Sequence, residues 1–237
     1  MRIAILAVAA TALAKAMAGG GRYDAVVGVA RRRPADWPDN PAFPFVAADI
    51  TDEAQVAEAA RMMEDLGRPS RIVVATGLLH GAGVTPEKSL RALDPEALMT
   101  LFQVNAIGPA LVAKHLLPLT PRDRVSVFAA LSARVGSITD NRLGGWYGYR
   151  ASKVALNMLI ATLAIEHRRS RPQGVCVALH PGTVETRLSA PFRQGSSGSP
   201  KRLTPDQSAA ALIKVMDELT PDDTGRLFAW DGQPIPW

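Results

Sequence analysis

Apolar residues fall along this chain in two alternating rhythms: short unbroken runs, and longer stretches in which they recur every three or four positions. The short runs lie at 3–8, 25–30, 44–47, 71–76, 124–132, 175–180 and 227–230 and read as buried strands. The stretches between them read as helices, several of which open on recognisable caps. Thr51 and Asp52 precede the helix that ends near Gly67. Asp94, with Pro95 at the first helical position, opens the one that runs to Leu117, and Thr204 with Pro205 opens the last. The middle helix should kink near Gly108-Pro109. Apolar strands separated by helices predict a mostly parallel, seven-stranded sheet with helices on both faces. That is a single doubly wound α/β domain over residues 1–237. No repeat or linker divides it, and its loosest stretch, 195–200, rich in Gly and Ser, predicts a mobile surface loop.

The first residues admit two readings. Met1-Arg2, the apolar run that follows and Ala16-Met17-Ala18 resemble a secretory signal with a small-residue cleavage site. Alternatively the same residues form a first strand and an Ala-rich helix over 11–18 that Gly19-Gly20-Gly21 stops. The second reading is preferred, because the sheet needs that unit to be complete. No segment reaches the roughly 18 apolar residues of a membrane span, so a membrane is not an expected partner.

Composition narrows the class. The chain has 237 residues, 47% of them hydrophobic and 21% charged, and can bury a core without disulfides or metals. The single cysteine, Cys176, sits inside Val175-Cys176-Val177-Ala178-Leu179 and reads as core filler. A reducing, cytoplasmic compartment is expected and a metal site is not. The net charge of +5 raises the question of nucleic acid. Its clusters, Arg31-Arg32-Arg33 and His167-Arg168-Arg169, are short and lack interleaved aromatics, so nucleic acid is not expected, while a local anion site stays open.

Open parallel sheets bind ligands outside the carboxyl ends of their strands. After the fifth strand comes Leu131-Ser132-Ala133-Arg134-Val135-Gly136-Ser137, then a loop, then Trp146-Tyr147-Gly148-Tyr149-Arg150-Ala151-Ser152-Lys153. Tyr149 and Lys153 are four apart at a helix start and share a face. A phenol of pKa about 10 exchanges its proton poorly at neutral pH, and a nearby lysine cation would bring it toward the working range. Ser132, at the strand end, could hold a substrate oxygen. The helix beyond is apolar on most sides, through Val154, Ala155, Met158, Leu159, Ala161 and Leu163, which makes Lys153 an expensive charge to place there without purpose.

On these residues, on Val104-Asn105-Ala106-Ile107-Gly108-Pro109 and on His180-Pro181-Gly182-Thr183-Val184-Glu185-Thr186, the chain resembles the short-chain dehydrogenase/reductase family from about Asp24 onward. Within the family it is most similar to the C-factor-like and sniffer-like carbonyl reductases. The resemblance implies a Rossmann-type fold and hydride transfer between a nicotinamide cofactor and a small-molecule carbonyl or alcohol. It implies Tyr149 as general acid/base, Lys153 as the group that lowers its pKa and holds the nicotinamide ribose, and Asn105 as support for a proton relay. Pro181-Gly182 would line the nicotinamide pocket, with Thr183 and Val184 beside it, and Thr183 and Thr186 would either contact the phosphates or cap a short helix before Pro191. Asp49-Ile50 matches the adenine contact, and Gly77, after Thr76, the last glycine of the Asn-Asn-Ala-Gly signature, whose asparagines are here Val74 and Ala75. A homodimer or homotetramer through the Asn105 and Tyr149 helices is also implied.

Independently of the resemblance, Asn105 lies on an apolar stripe and needs buried partners, as a working residue or as a satisfied core amide. Arg31 and Arg32 follow the second strand, where arginine accepts the 2′-phosphate, so NADP(H) is expected over NAD(H), the alternative being a solvated basic turn. His80 and His180 read as packing or pocket lining, and Trp146, Tyr147 and Leu78 as an apolar pocket mouth. Two departures stand out. The glycine-rich turn after the first strand is replaced by Ala7-Val8-Ala9-Ala10-Thr11-Ala12-Leu13, whose methyls would crowd a pyrophosphate. Ala133 occupies the place of the family's catalytic serine, leaving Ser132, if the strand end bends, or Ser137. The rival reading is a family-fold protein with weak nucleotide binding that acts in signalling or interaction.

Overall fold

The structure is a computed structural model that describes residues 3–7, 11–19, 21, 23–81, 83–186, 188, 189, 191 and 202–237. The expected loop at 195–200 and the turn residues Val8, Ala9 and Ala10 lie outside the described residues.

The strands are β1 (Ile3–Ala7), β2 (Ala25–Ala30), β3 (Phe45–Ala47), β4 (Pro69–Val74), β5 (Ser126–Leu131), β6 (Gly174–His180), β7 (Thr183–Val184), β8 (Arg202–Leu203), β9 (Leu227–Ala229) and β10 (Pro234–Ile235). The helices are α1 (Thr11–Gly19), α2 (Glu53–Glu64), α3 (Pro95–Phe102), α4 (Gly108–Leu116), α5 (Tyr147–Ser170) and α6 (Pro205–Glu218). The main sheet has eight strands in the order β10-β9-β6-β5-β4-β1-β2-β3, one more than expected. The extra strand, β10, pairs antiparallel with β9, and every other pairing in the sheet is parallel. Two residues opened by a proline are too short to announce a strand by pattern, and an edge is where a proline is tolerated. The strands β7 and β8 form a separate small pair. The segment weighed as a secretory signal forms β1 and α1, with β1 at the centre of the sheet between β2 and β4.

Successive strand residues face opposite sides, which divides the core in two. Val27, Val29, Phe128, Ala130, Cys176 and Ala178 pack under α2, α4 and α5. Val26, Val127, Ala129, Val175, Val177 and Leu179 pack under α1 and α6. Helix starts follow the caps: Asp52 accepts from the Gln55 N–H, Asp94 from the Glu96 N–H, and Thr204 with Gln207 forms a full capping box. Cys176 is free and fully buried, and burial pushes its thiol up to about 12, so it is an inert filler of the core.

Between α3 and α4 the helix passes through a π turn, Gln103–Ile107, in which the Gly108 N–H reaches the Gln103 carbonyl five residues back. The irregularity predicted at Gly108-Pro109 therefore takes the form of a wide turn. Pro109 has no N–H to give the Asn105 carbonyl four residues earlier, and a Cβ at Gly108 would come within 2.9 Å of Ile50 Cδ1, so this crossing admits little but glycine. The continuous helical stretch Pro95–Leu119 is long and apolar enough to cross a membrane by length and composition, contrary to the sequence expectation. Its Val112, Ala113 and Leu116 pack into the core against the sheet, which accounts for the apolar face without a lipid.

Candidate active site

The carboxyl ends of β4, β5 and β6 converge on the first turns of α5, and the sequence-predicted pair lies there. Tyr149 is 8% and Lys153 2% exposed. Lys153 Nζ donates to the Leu131 carbonyl at 2.8 Å and stands 5.8 Å from the centroid of the Tyr149 ring. No hydrogen bond holds the Tyr149 hydroxyl among the described residues. Burial alone pushes the phenol up to about 12 and brings the lysine down to about 7. At pH 7 the phenol is therefore neutral and the lysine close to half protonated; the shift of the phenol follows burial, not the neighbouring Lys153. An ammonium has three N–H groups, so two of those on Lys153 are left for a ligand after Leu131 is served.

Three left-handed residues, Gly144 (φ 62), Gly145 (φ 65) and Trp146 (φ 53), precede α5 and swing the chain into the site. For a tryptophan this backbone costs roughly 1–2 kcal/mol, and two residues far away in sequence hold it. Glu87, 4% exposed, accepts the Trp146 N–H on its backbone carbonyl at 2.6 Å, and both its carboxylate oxygens accept the Gly148 N–H at 3.2 and 3.3 Å. The carboxylate thereby occupies the positive end of the α5 dipole. Arg150 closes the turn from the other side, donating to the carbonyls of Gly145, Val135 and Gly144. Trp146 meets the Tyr149 ring edge-on at 6.3 Å. Neither Glu87 nor Arg150 stood out as functional in the sequence, because a single acid in a loop and a single arginine in a helix carry no pattern.

Asn105 is fully buried in the π turn. Its Oδ1 accepts the Leu78 N–H at 2.7 Å, and its Nδ2 donates to the Leu78 carbonyl at 2.8 Å and to Ser152 Oγ at 3.0 Å. The side chain therefore fastens the loop after β4 to α5, and Pro109, lacking an N–H, supplies no donor to its backbone carbonyl. Ser132 Oγ is engaged on α5, one turn beyond Lys153. The residue continues the β5 alternation toward α5, and its Oγ donates to Asn157 Oδ1 at 2.7 Å while Asn157 donates to the Gly136 carbonyl. Ala133 packs in the apolar cluster around Tyr149 instead, with Leu79, Val84, Leu101, Val135 and Trp146. Ser137, 1% exposed, is likewise engaged, with its Oγ near Thr139 Oγ1 and accepting the Asp140 N–H. A Cβ at Gly136 would come within 2.8 Å of Lys153 Cβ, which is why this turn lies so close to the helix.

Around the pair are groups that suit a dinucleotide. Thr76 Oγ1 and His180 Nδ1 are buried without partners at the ends of β4 and β6. A Cβ at Gly77 would stand in ordinary contact with Lys153 Nζ at 3.7 Å and Asn105 Oδ1 at 3.9 Å, which puts the chain after β4 against both side chains. Gly182 (φ 80) turns the chain after Pro181, whose carbonyl accepts from Ser208 Oγ, and Thr183 and Val184 run beside β8. Burial and the nearby Arg134 bring His180 down to about 4, so it is neutral, while His80 Nε2 lies 3.1 Å from the Leu188 carbonyl across the pocket mouth. Arg31 and Arg32 are exposed at the end of β2 and unpaired among the described residues, whereas Arg33 is held by Asp39 at 3.0 Å. Asp49 serves its own turn, one oxygen accepting from both the N–H and the hydroxyl of Thr51, and Ile50 is buried against Gly108. One feature opposes a phosphate. Thr11, the first residue of α1, donates to Asp36 Oδ1 at 3.1 Å, which sets a carboxylate beside the helix end that would face a pyrophosphate. Among the described residues no group of three or more His, Cys, Asp or Glu could hold a metal ion.

Residues 10–197 match the sequence profile described as short chain dehydrogenase. The chain is 33% identical over 189 residues, 80% of its own length and 78% of the relative's, to 1-hydroxy-2-glutathionyl-2-methyl-3-butene dehydrogenase from Rhodococcus sp. strain AD45. Its fold superposes on the carbonyl reductase Sniffer of D. melanogaster with a TM-score of 0.85 at 22% identity, covering 100% of this chain and 99% of that one. A short-chain dehydrogenase/reductase structure from Burkholderia multivorans with bound NADP gives a TM-score of 0.79 at 26% identity, with 100% of both chains covered.

Proposed function

This chain belongs to the short chain dehydrogenase family, and from that membership we propose that it is an NADP(H)-dependent oxidoreductase acting on a carbonyl or alcohol, with Tyr149 as the general acid and base. The observation that carries the proposal is the buried Tyr149–Lys153 pair on one face of α5, beneath the ends of β4, β5 and β6. When bound, the nicotinamide supplies or accepts the hydride. Lys153 would hold its ribose through the two N–H groups not given to Leu131, with Thr76 Oγ1 and Gly77 at the floor and Pro181, Gly182, Thr183 and Val184 at the wall. Arg31 and Arg32, free at the end of β2, suit a 2′-phosphate, and the Burkholderia relative's NADP supports that preference. Tyr149 gives its proton to the oxygen of a carbonyl undergoing reduction, or takes it from an alcohol undergoing oxidation. Ala133, Val135, Leu79 and Trp146 exclude water from that transfer. Asn105 fixes the Leu78 loop against α5 and would support a proton relay from there. We assign Ser132 to the frame, as the anchor of Asn157, rather than to the substrate.

A homodimer or homotetramer through α3–α4 and α5 is supported by Met99, Ile107, Met158 and Ile165, apolar residues exposed on those helices. A cytoplasmic location fits the unpaired Cys176. The proposal predicts that the protein consumes NADPH with members of a panel of aldehydes and ketones. No turnover with any member, once NADPH binding has been demonstrated, would remove the enzymatic reading.

A second reading, a fold-preserving member that binds nucleotide weakly, draws on Asp36 and on the alanines that replace the glycine turn. If Asp36 repels the pyrophosphate, Asp36→Asn tightens NADPH binding about tenfold, the equivalent of about 1.4 kcal/mol. Unchanged affinity in a fluorescence titration would mean that Asp36 stands clear of the phosphates.

A further inference from the structure

The far edge of the sheet carries a second concentration of charge that the reaction does not use. Here β4 and β5 begin, α5 ends, and the turn at 117–120 follows α4, so the place lies opposite the Tyr149 edge. Arg68, Arg122, Arg124 and Arg171 line a concavity of about 640 Å³ together with Pro118 and Asp123. Arg171 is 7% exposed; its Nε donates to the Thr120 carbonyl at 3.1 Å and its Nη2 to the Pro118 carbonyl. Arg68 Nη1 approaches the same Thr120 carbonyl at 3.5 Å, so two guanidiniums converge on one oxygen. Burial, with the like charges of Arg122 and Arg68, holds Arg171 below the ordinary guanidinium range.

Four arginines against one aspartate leave three positive charges in excess in this lining. Asp123 is exposed and turned to Arg124 at 3.7 Å, and no acid lies among the lining residues to serve Arg68, Arg122 or Arg171. Like charges gathered without counter-charge are unfavourable, and an anion between them relieves the cost. Guanidinium forks match the paired oxygens of phosphate better than a point cation does. The lining contains no aromatic ring on which a base could stack, which argues for phosphate itself over a nucleic-acid strand. The volume falls in the range of small-molecule sites.

We propose that this cluster is a second binding site, distinct from the dehydrogenase site, for a small anion bearing two or more linked phosphates. Inorganic pyrophosphate is the probe, titrated by calorimetry at constant ionic strength into the whole protein saturated with NADPH and into the protein without it. One saturable site is expected in both titrations. Arg122→Glu with Arg124→Glu weakens it at least tenfold, since both side chains are exposed and the fold does not hang on them. Arg91→Glu with Arg142→Glu, an equal charge change elsewhere, leaves it intact. Loss of pyrophosphate binding under saturating NADPH would place the ligand in the nucleotide site and overturn the proposal. So would equal weakening by both double variants, no saturable binding, or tight binding of a single-stranded oligonucleotide with pyrophosphate ignored.

Discussion

Tyr149→Phe is expected to lower kcat for carbonyl reduction by 10²–10⁴-fold or roughly so, with the melting temperature and NADPH affinity nearly unchanged. The phenylalanine ring keeps the contacts of Tyr149 with Leu79, Val84, Leu101 and Trp146, and the hydroxyl it removes makes no hydrogen bond among the described residues. What disappears is the proton donor. Because burial raises the phenol to about 12, the wild-type hydroxyl is an acid at neutral pH and its protonated form is ready for reduction. The oxidation direction, which needs the phenolate, is correspondingly expected to gain with rising pH. Steady-state rates of the wild type and the variant on one aldehyde, and of the wild type on the matching alcohol across pH, check this. Equal kcat values would remove Tyr149 from the chemistry.

Lys153→Met should change both turnover and the pH dependence of stability. The lysine is almost wholly buried and its folded value, about 7, lies below the ordinary value of 10.5. Below pH 7 both the folded and unfolded states carry the proton, and the folded state bears the full cost of burying the charge. Between about 7 and 10.5 the unfolded state holds more protons, so stability rises with pH by on the order of 1 kcal/mol per unit. Tyr149 works the other way above pH 10, where the unfolded phenol ionises first and stability falls toward 12. Denaturant midpoints of the wild type should therefore climb from pH 7 to about 10, and those of Lys153→Met should lack that climb. The variant should also be more stable than the wild type at pH 6 while losing turnover and NADPH affinity. Parallel midpoint curves for the two proteins would mean that Lys153 is not the buried cation described.

Much of the fold was legible because its strands are buried on both faces and so run apolar without interruption. The edge strand β10 escaped, having two residues and no run to display. The wide turn at Gln103–Ile107 was half visible: Pro109 announced an irregularity, but the choice between a kink and a π turn depends on how closely Gly108 approaches Ile50. Tyr149 and Lys153 were legible because helical spacing fixes their common face. The sequence left Ser132 and Ser137 both open as the serine that holds the substrate oxygen, because strand alternation does not say how the chain turns after Leu131, and the Ser132 hydroxyl is found donating to Asn157. Glu87 and Asp36 were invisible for the opposite reason. Each acts through a contact that pattern does not encode, Glu87 on Gly148 and Asp36 on Thr11. The four arginines of the far edge are scattered from 68 to 171 and meet where two strand starts, a helix end and a turn coincide.

Titration of the purified protein with NADPH, and separately with NADH, followed by nucleotide fluorescence and by melting temperature, tests the central claim most directly. Saturable NADPH binding tighter than NADH binding, with a rise in melting temperature, is the predicted result and would show that the alanine-lined turn admits a pyrophosphate. Neither fluorescence change nor thermal shift with either nucleotide would contradict the account, and would leave the Tyr149–Lys153 pair in a fold that has lost its hydride source.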